Sequence, residues 1–323
     1  MKAAVRRRFG PADVVTVADV PAPGPGHDEV LVRVHAATVG VVDSLARRGA
    51  PLYARPVFGI TRPRCTVLGS DFAGQVEAVG PAVTRFDPGD QVFGTTAPRF
   101  GAHAEYVCLS EQAAIEPKPD GLSYAGAAAL ADATALCFLR DKAKLRRGQT
   151  ILINGASGSV GSAAVQLARH FGAIVTGVCS GPSATLVRDL GAETVIDYSQ
   201  TDFTRQPRTY DVIFDVAGKS SFDRCRAALN PGGVYLTTAV SLAIFAQAAW
   251  TSRFGSTRAM IAFTGLRDNA TKRADLRYIA QLCQAAELKP VIDACYPLEQ
   301  IADAYRHVDA GHKKGNVVVT LPG

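Results

Sequence analysis

Apolar and polar positions along the first 120 residues form short runs that are separated by turns. The run Val30–Val34 is predicted to be a strand, and a Pro- and Gly-rich segment at 21–26 precedes it. Further short strands are predicted at 75–80, 91–93 and 105–107. Many short strands joined by frequent turns indicate a compact, barrel-like β domain.

From about residue 122 to about residue 288, strands and helices alternate. Apolar residues at 160, 163, 164, 167, 168 and 171 fall on one face of a helix, which is the clearest helical signal in this part of the chain. Strands are predicted at 150–153, 174–178, 194–197, 211–216 and 234–238, and helices at 159–171, 182–190 and 220–229. This alternation predicts an α/β fold with a parallel, doubly wound sheet.

The end of the chain is predicted to return to the first domain. An amphipathic helix follows Ala274 and ends near Leu288, a second helix spans 298–308, and a last strand spans 316–321. The simplest arrangement is a β domain of residues 1–121 that is completed by 289–323. An α/β domain of residues 122–288 is then inserted into it, and a ligand cleft is expected between the two.

Composition and charge narrow the class of protein. The 323 residues are 47% hydrophobic and 20% charged, which is typical of a globular chain of about two domains. The net charge of +6 is scattered along the chain, which suits a small anionic ligand. The sequence lacks the basic stripe with interleaved aromatic residues that would indicate nucleic-acid binding. Seven cysteines without a CxxC pair argue against a disulfide framework and against a sulfur-rich zinc site.

Two segments bear on localisation. The start, MKAAVRRRFG, has no apolar run after its charges, so we expect a reducing, cytoplasmic compartment. Residues 227–252 carry no charge, but the mostly apolar part at 235–250 is shorter than the roughly 20 residues of a membrane span. We interpret it as a buried strand followed by a helix that covers a pocket, and a peripheral membrane contact is the alternative.

A glycine turn stands between the first predicted α/β strand and its helix. The sequence ILINGASGSVG at 151–161 contains Ala156-x-Gly158-x-x-Gly161, the spacing of a dinucleotide-binding turn. Gly158 would let the backbone approach a pyrophosphate, and Gly161 would allow close packing of helix and strand. The amides of the helix N-terminus would face the phosphates. The predicted cradle comprises Ala156, Ser157, Gly158, Ser159, Val160 and Gly161, and a glycine turn without a ligand is the alternative.

The loop after the second α/β strand favours NADP over NAD. An NAD site usually has an acidic residue there to bond the ribose 2′-hydroxyl, and no acidic residue occurs between Gly161 and Asp189. The hydroxyls of Ser180 and Ser183 are predicted to donate to a 2′-phosphate, with Cys179 in the same loop. Tyr198, after the third strand, is predicted to stack beside the adenosine, and ordinary packing is the alternative.

Residues just past later strands should also face the cofactor, because ligands bind at the carboxyl edge of such sheets. They are Ala217 and Gly218 after the fourth strand, and Thr238 and Ala239 after the fifth. Phe263 lies in a candidate sixth strand, MIAFTG.

Several segments resemble the medium-chain dehydrogenase/reductase superfamily. They are LGSDFAGQVEAVG (68–80), FDPGDQVFG (86–94), GAHAEYV (101–107) and the tail 288–319. Within the superfamily the chain resembles the zinc-independent quinone oxidoreductase branch, which includes zeta-crystallin. The resemblance implies a Rossmann domain inserted into a GroES-like β-barrel domain, and a homodimer formed through the sixth strand (260–264).

The resemblance extends to the positions of zinc ligands. Zinc alcohol dehydrogenases of this superfamily carry Cys and His where this chain has Gly40 and Ser70. Neither residue is a good zinc ligand, so no metal is expected. Without a Lewis acid, reduction of an electron-poor acceptor suits the site better than alcohol oxidation.

The implied reaction is hydride transfer from NADPH to a quinone or another conjugated carbonyl, on a small, apolar, electrophilic substrate. Thr134 resembles the residue that contacts the nicotinamide, and Lys314, Gly315 and Asn316 resemble the C-terminal stretch that returns to the cofactor. Those three are alternatively a solvated loop. A tyrosine of the branch is displaced, because Pro51 stands at its position and Tyr53 follows two residues later. Tyr53 or solvent is the expected proton donor.

Two other functions stay open from the sequence. The first is an enoyl reductase, which differs only in the acceptor. The second is a protein that binds NADPH with slight turnover and acts as a sensor or a structural protein, because polar groups usual in the branch are replaced by Gly40 and Leu45.

Overall fold

The computed structural model describes residues 1–52 and 55–322, which pack into two compact units. Unit 1 comprises 1–133, 265–286 and 290–323, and unit 2 comprises 134–264 and 287–289. The predicted domain boundaries at 121/122 and 288/289 therefore differ from these limits. The physical reason is that two helices within the range assigned to the α/β domain bury Ala127, Ala128 and Leu276 against strands of unit 1.

The strands of the described chain are numbered in sequence order. They are β1 (Lys2–Arg6), β2 (Val15–Asp19), β3 (Glu29–Val39), β4 (Asp71–Val79), β5 (Gln91–Thr95), β6 (Tyr106–Ser110), β7 (Ala114–Pro117), β8 (Thr150–Asn154), β9 (Ile174–Cys179), β10 (Thr194–Asp197), β11 (Tyr210–Asp215), β12 (Leu229–Thr237), β13 (Arg258–Ile261), β14 (Ile292–Pro297) and β15 (Asn316–Thr320).

The α-helices are numbered in the same way. They are α1 (Val41–Arg48), α2 (Arg55–Phe58), α3 (Tyr124–Leu130), α4 (Thr134–Leu136), α5 (Ser159–His170), α6 (Ala184–Asp189), α7 (Phe222–Cys225), α8 (Leu242–Thr251), α9 (Asn269–Gln284) and α10 (Ile301–Ala310). A π-helical segment, Cys137–Lys142, follows α4.

Unit 1 is built around a seven-stranded sheet in the order β14-β15-β3-β4-β5-β7, with β6 paired to the first half of β3. The described strands do not close into a barrel, so the predicted barrel is corrected to an open sheet. One reason is that α3 packs across β3, β4, β5 and β15 and covers the apolar face that closure would otherwise bury. The other face packs against α10, where Tyr305 and Val308 are buried.

Unit 2 confirms the predicted doubly wound sheet. Its six strands are all parallel, in the order β10-β9-β8-β11-β12-β13. Ile151, Leu152 and Ile153 of the central strand β8 are fully buried, as expected for a strand covered on both faces. The order in which strands are added to the sheet switches from one side of β8 to the other between β8 and β11. The carboxyl ends of these two strands form the edge where such folds bind ligands.

Within the described residues, every helix is too short or too polar to cross a bilayer.

Candidate cofactor-binding site

The glycine turn joins β8 to α5 at the carboxyl edge of the unit 2 sheet. The amides of Gly155 and Ala156 both donate to the Val178 carbonyl oxygen of β9, each at 3.0 Å. Gly155 has φ +88°, a left-handed conformation that favours glycine, and the Gly158 amide donates back to the Gly155 oxygen at 3.1 Å. These bonds fix the turn so that Gly158 becomes the N-cap residue of α5.

The two glycines at the start of α5 occupy different surroundings. A Cβ placed on Gly161 would lie 2.0 Å from the Gly155 carbonyl oxygen, so this residue is required for helix and turn to pack. A Cβ placed on Gly158 would meet only the Gly155 oxygen, at 3.5 Å, so this face of the turn is open. Gly158 also has no side chain to cap α5, which leaves first-turn amides directed outwards. The turn therefore fits a pyrophosphate, which is an anion of the kind that helix N-termini bind.

Ala156 stands where many such turns have their first glycine, and the structure gives the reason it is tolerated. Its side chain is fully buried, and a Cβ placed on Gly177 of β9 would lie 3.1 Å from the Ala156 methyl group. The absence of a side chain at Gly177 makes room for that methyl. Ala156 contributes to the turn through its backbone.

A buried carboxylate accepts hydrogen bonds from residues at the same edge of the sheet. Asp215, at the end of β11, is fully buried and accepts from Asn154 Nδ2 at 2.8 Å and from the Tyr235 hydroxyl at 3.1 Å. It also accepts from the backbone amides of Gly218 at 3.0 Å and Ser220 at 2.9 Å. Four donors around one carboxylate hold the loop after β11 in a fixed conformation. Sequence reasoning missed this residue, although a polar residue at the end of an apolar strand is a signal for it.

The predicted residues past β11 and β12 are brought together with the glycine turn. A Cβ placed on Gly155 would lie 3.1 Å from Ala217, and one on Gly218, at φ +63°, would lie 2.9 Å from the Ala239 methyl. Thr238 donates from its hydroxyl to the Val216 oxygen at 3.2 Å. These residues line one continuous edge with the turn, and their contact with a cofactor stays a prediction.

The predicted ribose loop differs from expectation in two details. The hydroxyls of Ser180 and Ser183 lie 3.2 Å apart and bond one another, and Ser183 is buried. The Cys179 side chain is also buried, and burial raises the pKa of its thiol, so this residue can line the site only through its backbone.

An acidic residue that sequence reasoning missed lies beside this loop. Asp197 ends β10, pairs in register with Cys179 of β9, and places Oδ2 2.7 Å from a Cβ built on Gly181. Its Oδ1 accepts from the amide and the hydroxyl of Ser199. The contact arises from the pairing of β9 with β10, whose carboxyl ends meet, and it leaves no local signal in the sequence. The carboxylate weakens the argument for a 2′-phosphate that rested on the loop sequence alone.

The remaining predicted residues of unit 2 lie at accessible positions. Tyr198 is 54% exposed, as a ring that stacks on a ligand must be, and its amide donates to the Cys179 oxygen at 3.2 Å. The hydroxyls of Thr134 and Thr264 lie 3.0 Å apart. Phe263, beside Thr264, is half exposed and stacks on Phe245 of α8 with ring centres 6.0 Å apart.

Four predicted residues lie elsewhere. Lys314, Gly315 and Asn316 belong to unit 1, where Asn316 Nδ2 donates to the Val291 oxygen at 3.1 Å and Gly315 has φ +86°. A Cβ placed on Gly315 would lie 2.3 Å from the same oxygen. Their role toward the cofactor stays a prediction. Tyr53, the predicted proton donor, lies outside the described residues.

The two positions that match zinc ligands are joined by a carboxylate in unit 1. Asp43 Oδ2 accepts from the Gly40 amide at 2.8 Å, and Oδ1 accepts from the Gly69 amide at 3.0 Å, next to Ser70. Burial raises the pKa of Asp43. Within the described residues, no three side chains of His, Cys, Asp or Glu gather closely enough to hold a metal ion.

Comparisons with known proteins assign the chain to a family. Residues 26–120 match the alcohol dehydrogenase GroES-like domain, and residues 190–319 match the zinc-binding dehydrogenase family. The NADPH-dependent alkenal/one oxidoreductase of Arabidopsis thaliana is 32% identical over 99% of this chain and 79% of its own length. The chain belongs to the medium-chain dehydrogenase/reductase superfamily, in its zinc-independent quinone oxidoreductase branch.

Other members of the branch support the same assignment. The quinone oxidoreductase of Pseudomonas aeruginosa is 30% identical over 96% of this chain and 97% of its own length. The solved structure of the quinone oxidoreductase from Coxiella burnetii superposes with a TM-score of 0.88 at 27% identity, covering 100% of this chain and 99% of that one. The predicted resemblance is confirmed, and the chain is an oxidoreductase that uses a nicotinamide cofactor.

Proposed function

We propose that this reductase transfers hydride from NADPH to a quinone or to another conjugated carbonyl compound. The observation that carries the proposal is the open face of Gly158 at an uncapped helix N-terminus, three residues before the closely packed Gly161. Bound there, the dinucleotide would supply the hydride. The rest of the chain has to bind, orient and exclude water.

The residues of the turn would hold the pyrophosphate through their backbone amides. The segment Ala217–Gly218 and the pair Thr238 and Ala239 would form the adjoining wall, since they share the same sheet edge. Thr134, bonded to Thr264, would face the nicotinamide ring, and Tyr198 would stack beside the adenosine. A fixed wall of this kind orients the ring without paying an ordering cost at the moment of reaction.

The preference for NADPH rests on two observations. Ser180 and Ser183 supply hydroxyl donors in the ribose loop, and the relative at 32% identity is named as NADPH-dependent. The Asp197 carboxylate opposes a 2′-phosphate by its charge. We therefore propose a modest preference, with NADH accepted as well.

The class of acceptor is inferred from the apolar, aromatic surface next to Thr264. Phe263 and Phe245 present a stacked apolar surface, which suits an apolar, planar acceptor. Quinones and conjugated enones both accept hydride at carbon or oxygen without help from a metal ion. A proton is then needed at the reduced product, and we propose Tyr53 or solvent as its source.

An enone reductase is the second candidate within this proposal. The relatives named alkenal/one oxidoreductase and 2-methylene-furan-3-one reductase are 32% and 31% identical to this chain, and both names describe reduction of such substrates. The difference between the two candidates lies only in which acceptor is turned over faster.

A kinetic panel tests the proposal. NADPH oxidation at 340 nm would be followed with simple quinones and, separately, with 2-alkenals and enones of matched size. Turnover that depends on the acceptor supports the reductase, and the ratio of kcat/KM values separates quinone from enone reduction. NADPH binding without turnover on any acceptor would favour the sensor instead.

We further propose that the enzyme is a cytoplasmic homodimer that pairs through its sixth strand and binds no nucleic acid. β13 is an edge strand of the described unit 2 sheet and offers unpaired backbone groups. A solution mass of twice the 34.0 kDa of one chain, measured by light scattering, supports the dimer. A mass of one chain argues against it.

A further inference from the structure

Unit 1 contains a basic groove that none of the functions above uses. It has a volume of about 640 Å³ and is lined by Val5, Arg7, Arg8, Val14, Thr16, Ala18 and Arg62; we call it the arginine groove. That volume lies within the range of small-molecule sites. None of the seven lining residues is acidic.

The β1–β2 ribbon explains the apolar floor. Val5 pairs with Thr16, and Ala3 pairs with Ala18, so the side chains of these residues point to one face of the ribbon. The opposite face carries Ala4, which is buried in the core of unit 1. The floor of the groove is therefore a fixed, two-stranded surface.

The chain segment that carries Arg62 is held beside the ribbon. Val5 forms an isolated antiparallel bridge with Val67, and the Arg6 amide donates to the Thr66 oxygen at 2.8 Å. The segment therefore enters a strand-like position next to β1. Arg62 lines the groove together with Arg7 and Arg8, which follow the end of β1.

The three arginines of the groove lack the carboxylate partners that some arginines of unit 1 have. Arg47, Arg85, Arg267 and Arg306 each bond a carboxylate. For Arg7, Arg8 and Arg62, the described part of the chain provides no such partner. Three guanidinium groups around one groove repel each other, and an anion bound among them would remove that repulsion.

We propose that the arginine groove binds an organic anion with a phosphate head and an apolar body. Guanidinium groups pair with phosphate oxygens in bidentate geometry, and the three positive charges exceed the double negative charge of a phosphate monoester. The Thr16 hydroxyl adds one polar contact. The half-buried Val14 and Ala18 would cover the apolar body of the ligand. Such a group occurs both in soluble phosphate esters and in lipid headgroups.

Calorimetry on the full-length protein tests the site, with octyl phosphate as the soluble probe and inorganic phosphate as the head alone. We expect octyl phosphate to bind more tightly than inorganic phosphate, and added salt to weaken both. Replacing one arginine by Gln should raise the Kd about tenfold, and the triple variant Arg7→Gln, Arg8→Gln, Arg62→Gln should raise it more than a hundredfold. The matched control removes three exposed arginines of unit 2: Arg146→Gln, Arg147→Gln and Arg226→Gln.

A vesicle arm identifies the source of the phosphate. Sedimentation would compare vesicles of phosphatidylcholine with vesicles that also contain phosphatidic acid, whose headgroup is a phosphate monoester. Binding to the anionic vesicles that only the groove variant loses assigns a lipid headgroup, and binding of octyl phosphate alone assigns a soluble ester. Equal binding by wild type and groove variant, or no binding of any probe at millimolar concentration, overturns the proposal. The three arginines are exposed, so the groove variant should melt at the wild-type temperature.

Discussion

Gly158 and Gly161 are three residues apart in one turn, but one is needed for ligand binding and the other for folding. Gly161 is needed for folding, since any side chain would enter the space of the Gly155 carbonyl oxygen. Gly158 has room for a methyl group and a backbone conformation, φ −77° and ψ −178°, that alanine adopts freely. A side chain at position 158 would therefore interfere with a bound ligand and not with the fold.

Gly158→Ala should fold normally and bind the cofactor poorly. The methyl group would stand where the pyrophosphate approaches, so we expect the Kd for NADPH to rise at least about tenfold. The free energy of unfolding should change by less than about 0.5 kcal/mol. Fluorescence titration and urea denaturation measure the two quantities.

Gly161→Ala is the matched control for that variant. Its Cβ would clash with backbone, so we expect a loss of at least about 3 kcal/mol in the free energy of unfolding. If Gly158→Ala instead lost stability while keeping its affinity for NADPH, the assignment of the two glycines would be wrong.

Asp197 should limit the preference for NADPH. Asp197→Asn keeps an oxygen for Ser199 and removes the negative charge beside Gly181. We expect the ratio of the Kd for NADH to the Kd for NADPH to rise about fivefold, which corresponds to about 1 kcal/mol of electrostatic repulsion. Titration of both nucleotides measures the ratio, and an unchanged ratio would show that the carboxylate does not face the ribose.

Lys313 gives the chain a pH dependence of stability. Burial lowers the pKa of its ammonium from 10.5 to about 8, although Asp132 and Asp293 act in the opposite direction. The unfolded chain then holds more protons than the folded one between pH 8 and 10.5, so this group adds stability as the pH rises through that range. Below pH 8 the buried charge costs stability.

Lys313→Met should therefore stabilise the protein at pH 7. We expect a gain of about 1 to 2 kcal/mol in the free energy of unfolding, after the loss of the hydrogen bond to the Gly315 oxygen. Denaturation at pH 7 and at pH 10.5 measures the difference between variant and wild type. The gain should shrink at the higher pH, and a constant gain would contradict the assigned pKa.

At the scale of elements, β11 carries a bonded carboxylate at each end. Asp215 at the carboxyl end fixes the loop that the cofactor should touch. Asp211 at the amino end accepts from Thr150 and Asn230, at the opposite edge of the sheet. The strand therefore contains its own control for a positioning role.

Asp215→Asn and Asp211→Asn should both destabilise the protein, and only the first should weaken cofactor binding. An amide at 215 would turn a donor toward other donors inside the core, which costs about 2 to 4 kcal/mol. We expect the Kd for NADPH to rise about tenfold for Asp215→Asn and to stay within about twofold for Asp211→Asn. Equal effects on the Kd would indicate a purely structural role for Asp215.

The limits of helices and strands could be predicted from the sequence better than the elements against which they pack. β10 has the predicted limits 194–197, and β8, β9 and β11 begin or end within a residue of their predicted positions. The helix expected after Ala274 begins earlier, at Asn269, because the Asp268 side chain caps it by accepting from the Thr271 amide.

The contacts that could not be predicted from the sequence are those made by long-range packing. The apolar faces of α3 and α9 are equally suited to either domain, and only the folded chain shows that they cover the sheet of unit 1. In the same way, Asp197 enters the ribose loop through the register of β10 with β9. Neither contact leaves a local pattern in the sequence.

At the scale of the whole molecule, the predicted cofactor residues come from both units. The glycine turn, the strand-end loops, Thr134 and Tyr198 belong to unit 2, and Lys314, Gly315 and Asn316 belong to unit 1. Unit 2 alone contains the pyrophosphate cradle. The proposed activity therefore depends first on whether the turn of unit 2 binds a dinucleotide.

Calorimetric titration of the wild-type protein with NADPH, and then with NADH, tests that claim most directly. The account predicts saturable binding of both nucleotides at one site per chain, with NADPH the tighter of the two. No heat of binding for either nucleotide at millimolar concentration would contradict it.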